Sequence, residues 1–98
     1  MKKILVCCNT GVSTSLLVSK MRQHAEGYAA NVEIEAEPLS KAIEHLSDAD
    51  VILLGPQIGF AKAQIEQAST TPVAIIDSED YANADAPKIL AEALKLMA

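Results

Sequence analysis

Two adjacent cysteines, Cys7 and Cys8, close an apolar run and open onto Asn9-Thr10-Gly11-Val12-Ser13-Thr14-Ser15, a stretch of small and polar residues. A thiolate is a strong nucleophile, and a loop of this composition can wrap an anion with backbone N–H groups. Gly11 permits a left-handed turn or a close backbone approach, and the helix that follows starts with unsatisfied donors and the positive end of its dipole. The hydroxyls of Ser13, Thr14 and Ser15 add hydrogen bonds. A field that holds phosphate also holds a thiolate, so Cys8 is the candidate nucleophile and Asn9 to Ser15 are the candidate phosphate-binding residues. Cys7, inside the apolar run, reads as a small buried hydrophobe. Neighbouring cysteines rarely bridge, and no Cys or His spacing of a metal centre is present. The sequence therefore predicts a reducing compartment, no metal and no cofactor.

Other titratable residues compete less well. His24 and His45 each fall late in a helical pattern, where a solvated or half-buried role is the ordinary one. Glu33, Glu35 and Glu37 share one face of a strand pattern, which protects a sheet edge but supplies no acid with a raised pKa. A cysteine, an anion-binding loop and a helix also describe low-molecular-weight tyrosine phosphatases, whose loop carries an arginine six positions after the cysteine. Here that position is Thr14, and the chain's one arginine, Arg22, lies two turns further on. The guanidinium that clamps transition-state oxygens is missing, and no Asp-Pro pair supplies a general acid. A thiolate without clamp or acid suits a reversible carrier better than a hydrolase.

The elements that must position this loop can be read from periodicity. Lys3 to Cys7 and Asp50 to Leu54 are continuous apolar runs, as expected of strands covered on both faces. Asn31 to Glu37 alternates Val32, Ile34 and Ala36 with glutamates and reads as an edge strand, and Pro72 to Ile76 opens with a proline tolerated at a strand start or an edge. Helical patterns lie between them. The first runs from Ser13 to Glu26 with Leu17, Met21, Ala25 and Tyr28 on one stripe and Gly27 as a stop. The others run from Leu39 to Ser47, from Gly59 to Ala68, and from Asp85, a candidate N-cap, to Met97. Strands alternating with helices predict an α/β fold of one domain, residues 1–98. Its sheet is four-stranded and parallel, in order 2-1-3-4, with helices on both faces. Strand order then reverses between the first and third strands, opening a crevice at their carboxyl ends, where Cys8 sits.

Composition sets limits on partners. Thirteen acids against eight bases give a net charge of −5, and the bases are scattered, which argues against nucleic acid. The apolar runs are too short to span a bilayer or to act as a signal peptide, so the expectation is a cytoplasmic protein with no direct membrane insertion.

The run Cys8-Asn9-Thr10-Gly11-Val12-Ser13-Thr14-Ser15-Leu16-Leu17-Val18-Ser19-Lys20-Met21 resembles the active loop and first helix of the enzyme IIB components of the bacterial sugar phosphotransferase system, lactose/cellobiose/diacetylchitobiose group. Leu53-Leu54-Gly55-Pro56-Gln57-Ile58 and Ile76-Asp77-Ser78 with Tyr81 look similar too. The resemblance implies that Cys8 takes phosphate from the phosphohistidine of a IIA protein and passes it to a sugar bound by a IIC membrane permease. The expected sugar is a β-linked disaccharide, with cellobiose-like β-diglucosides or diacetylchitobiose preferred over lactose. Cys7 and the acidic pair Glu79-Asp80 depart from the pattern. A thiol phosphatase and a phosphate-sensing module remain the alternatives. Segments after the first, third and fourth strands should meet at one edge of the sheet, so Val12, Ile58, Phe60 and Tyr81 are the expected docking rim for both partners.

Overall fold

The run that holds the two cysteines has to be covered on both faces, which a central strand achieves. The computed structural model describes residues 2–8, 11–28 and 32–97, with the side chains of all of these except positions 8, 11–14, 27, 28 and 45. Strand β1 (Lys2–Cys8) lies between β2 (Val32–Pro38) and β3 (Val51–Leu54), and β4 (Val73–Ile75) pairs with the far side of β3. All three pairings are parallel, so the sheet is ordered β2-β1-β3-β4 as the sequence predicts. The helices are α1 (Gly11–Tyr28), α2 (Leu39–Ala42), α3 (Lys62–Ala68), α4 (Ser78–Ala82) and α5 (Ala86–Met97), with 3-10 segments at Ile43–Asp48 and Pro56–Ala61.

Period-two alternation along β1 divides the core into two layers. Ile4 and Val6 join Val51, Leu53 and Ile34 under Leu17, Val18, Met21 and Ala25 of α1 and Ile89, Leu90 and Ala93 of α5. On the opposite face Leu5 and Cys7 join Ile52, Leu54 and Val73 under Ala42, Leu46, Ile58, Ala61 and Ile65. Helices thus cover both faces, and with few aromatics in the chain the core is packed from aliphatic side chains and alanine.

Several predicted boundaries change. Helix α1 starts two residues earlier than expected, at Gly11, and runs past Gly27 to Tyr28. The second helical pattern is a single α turn that tightens into a 3-10 segment, because the spacing of three in the pairs Leu39/Ala42 and Ile43/Leu46 suits either winding. Pro72 lies just outside β4: it has no N–H for the ladder, but its carbonyl accepts from Ile52 N at 2.9 Å. Asp85 caps α5 as predicted, its carboxylate accepting from Lys88 N at 3.3 Å. The helix α4 was not foreseen. Asp77 starts it by accepting from the N–H groups of Glu79 and Asp80, and it ends in a Schellman pair, Ala84 N to Tyr81 O at 3.1 Å and Asp85 N to Asp80 O at 2.9 Å. That ending puts Ala84 in the left-handed region at φ 48°.

At the amino-terminal side of the sheet, Lys2 Nζ donates to Met97 O at 3.2 Å, so the two ends of the described chain meet there.

Candidate functional site

Strand order reverses between β1 and β3, and a crevice opens at their carboxyl ends, where the connections leave in opposite directions. Cys8 is the last residue of β1, paired with Pro38 of β2, and α1 begins three positions later at Gly11. A helix of 18 residues therefore points its amino end, with its unsatisfied N–H groups, at the end of the strand that carries the thiol. Asn9 and Thr10 lie outside the described residues, as do the side chains of Cys8, Val12, Ser13 and Thr14. Ser15 is described as an exposed residue of the first turns of α1.

The third strand buttresses this point. Gly55 follows β3 and donates its N–H to Cys7 O at 2.9 Å, which fixes the peptide that leads into Cys8. A Cβ on Gly55 would stand 3.1 Å from Gln57 Oε1, 3.6 Å from Cys7 O and 3.7 Å from Tyr81 Cε1. Glycine lets the Gln57 side chain close over the backbone here, and the Tyr81 ring lies within ordinary contact distance. Beyond them Pro56, Gln57, Ser78, Tyr81 and Ala82 line an open cleft of about 540 Å³.

Of the expected docking residues, Phe60 is 78% exposed and Tyr81 is half-buried, its ring packed against the α1/α5 layer. Ile58 is a correction. It is only 1% exposed and packs in the opposite layer with Leu54, Ala61 and Ile65, so it fills the core instead of standing on the rim. Its backbone leaves helical geometry (φ −118°, ψ 25°), a kink between two tight turns. Leu16, in the second turn of α1, is 59% exposed, while its neighbour Leu17 on the helical stripe is buried.

The competing candidates stand elsewhere. Arg22 donates from Nε to Ile34 O at 2.7 Å, closing a backbone carbonyl midway along β2. His24 lies thirteen residues along α1 from Gly11, about 20 Å at the rise of a helix. The His45 side chain lies outside the described residues. Glu35 pairs with Lys3 at 3.2 Å at the opposite end of the sheet edge. Among the described residues no three His, Cys, Asp or Glu side chains converge as metal ligands.

A family model described as "PTS system, Lactose/Cellobiose specific IIB subunit" matches residues 3–92. The chain is 41% identical over 100 residues to the oligo-beta-mannoside-specific EIIB component of Bacillus subtilis, covering 99% of this chain and 97% of that protein. It is 36% identical over 104 residues to the cellobiose-specific EIIB component of Lactococcus lactis, covering 98% and 96%. Among solved structures, the cellobiose-specific IIB component from Borrelia burgdorferi superposes with a TM-score of 0.80 at 32% identity over 98% of this chain and 91% of that one. The lactose-specific IIB domain from Streptococcus pneumoniae has a TM-score of 0.87 at 17% identity, a likeness of fold, covering 99% and 98%.

Proposed function

The chain belongs to the lactose/cellobiose-specific IIB subunits of the sugar phosphotransferase system, and we propose that it carries phosphate on the sulfur of Cys8. The Cys8 thiolate attacks the phosphorus of a phosphohistidine on a IIA protein: the S–P bond forms, the N–P bond breaks, and the imidazole keeps the electron pair. A sugar hydroxyl held by a IIC permease then attacks the same phosphorus, loses its proton, and the thiolate leaves. The observation that carries this reading is the placement of Cys8 at the crevice end of β1 with the amino end of α1 following directly. Backbone donors there stabilise both the thiolate and the phosphoryl oxygens, so neither side of the exchange is strongly favoured.

A carrier fits better than a thiol phosphatase, because Arg22 is committed to Ile34 O and no guanidinium from the described residues reaches the crevice. The whole of residues 1–98 then acts as one carrier domain. The sugar is a β-linked disaccharide, a reading supported by the cellobiose named for one relative and the β-linked oligomannoside named for another. No helix among the described residues is long and apolar enough to cross a membrane. That fits a protein working at the cytoplasmic face of its permease. Phe60, Leu16, Val12 and Tyr81 form the rim on which IIA and IIC dock in turn.

The test is peptide mapping by mass spectrometry after incubation with phosphorylated IIA. One phosphoryl group should appear on the peptide containing Cys8, be lost in Cys8→Ser and persist in Cys7→Ser. Phosphate on Cys7, His24 or His45 overturns the assignment.

A further inference from the structure

A phosphocysteine carrier has to wait for its acceptor without losing phosphate to water, and the fold must supply what keeps water away. Two sides of the Cys8 position are accounted for: β2 pairs beside it, and α1 follows it. On the third side lies the open cleft of about 540 Å³ between the ends of β3 and β4, through which solvent has access. Between that cleft and the backbone leading into Cys8 stands Tyr81. Its ring lines the cleft, and its Cε1 would be 3.7 Å from a Cβ at Gly55, whose N–H holds Cys7 O. Tyr81 packs against the α1/α5 layer beside the end of β1. We propose that Tyr81 is a positioning residue whose ring walls the cleft off from Cys8 and shields the phosphocysteine from hydrolysis.

Three features of the structure serve this wall. The ring lies directly against the Gly55 backbone, close enough that a Cβ there would be in ordinary contact with it. The helix α4 that carries Tyr81 has only five residues, and it is fixed at its start by Asp77 and at its end by the hydrogen bonds from Ala84 and Asp85. Lys88 of α5 pairs with Asp80 at 3.1 Å, so α4 is also tied to its neighbour beside Tyr81. A one-turn helix has little stability of its own, and capping it at both ends suits an element that must hold one ring in place.

The reaction prevented is simple. Water attacks phosphorus, the S–P bond breaks with its electrons going to the Cys8 thiolate, the water proton passes to solvent, and inorganic phosphate leaves. The proposal rests on Cys8 being the phosphorylated residue. The test uses the full chain, phosphorylated with IIA and then freed of it, and follows release of inorganic phosphate. Tyr81→Ala should shorten the half-life of the phosphoprotein several-fold, and Tyr81→Phe, which keeps the ring, should restore it. A role confined to docking would change transfer from IIA but not this half-life. Tyr81→Leu provides a second truncation of the ring, with circular dichroism establishing that each variant is folded. If folded Tyr81→Ala and Tyr81→Leu both keep the parent half-life, the wall is wrong. A separate readout covers failure of the carrier reading. If phosphate maps to another residue, the rate of alkylation of Cys8 by iodoacetamide still reports access: faster alkylation in Tyr81→Ala supports the wall, and an unchanged rate overturns it.

Discussion

A serine at position 7 would bring a hydroxyl among Leu5, Ile52 and Leu54, where Cys7 is 0% exposed. Burying that polar group should cost about 1–3 kcal/mol of stability, measured by urea unfolding, while phosphate acceptance per folded molecule stays at the parent level. Lys3 and Glu35 provide a residue-scale test by pH. The hydrogen bond between them holds the Lys3 pKa above its ordinary value of 10.5 and the Glu35 pKa below its ordinary 4.5, although partial burial opposes both shifts. The carboxylate contribution is therefore complete above pH 4.5 and fades as pH falls through the lower, folded value. The ammonium contribution is complete below pH 10.5 and fades as pH rises through the higher, folded value. The Glu35 side chain is 37% exposed, so solvent screening keeps the pair within about 0–1 kcal/mol. Glu35→Gln should be the less stable protein at neutral pH, and the difference should close in acid. A constant difference down to pH 2 would mean that the ion pair is not its source.

At the scale of elements, α4 offers the sharper test. Asp77→Ala removes the acceptor for two N–H groups and should cost about 1 kcal/mol. Ala84→Gly should stabilise by up to about 1 kcal/mol, because glycine takes the left-handed conformation without a Cβ clash. The Ala84 methyl packs on the α1/α5 layer, and its loss offsets part of that gain. Thermal unfolding of the two variants reads both. The same element shows what could be foreseen from the chain. Strand order, the cover of helices on both faces and the place of Cys8 at the end of β1 were legible, because apolar runs and stripes such as Leu17, Met21 and Ala25 repeat often enough to fix a period. Helix α4 was not, since one turn is too short to show periodicity, although Asp77 ahead of Glu79 and Asp80 carried a capping signal. Ala84 hid a turn that a glycine would have announced. The burial of Ile58 and the exposure of Phe60 go with the kink at Ile58, which the sequence does not mark.

The whole molecule is acidic, with a net charge of −5, and leaves Leu16 and Phe60 exposed to solvent. If IIA docks at the proposed rim and Glu79 and Asp80 steer a basic partner surface, association should slow as salt screens that field. Phe60→Asp should weaken acceptance from phosphorylated IIA by about 1–2 kcal/mol, roughly tenfold in apparent affinity. A chemical-shift titration should map IIA to this rim. Shifts centred on Glu33, Glu35 and Glu37 would move docking to the β2 edge. The contact between Lys2 Nζ and Met97 O adds a constraint of another kind. Both ends of the described chain lie at the pole opposite the thiol, so a tether attached at either end would leave the crevice unobstructed. Such a tether would act on transfer through effective concentration, set by linker length and stiffness. The thiol would then meet its acceptor more often without any change in the chemistry at Cys8.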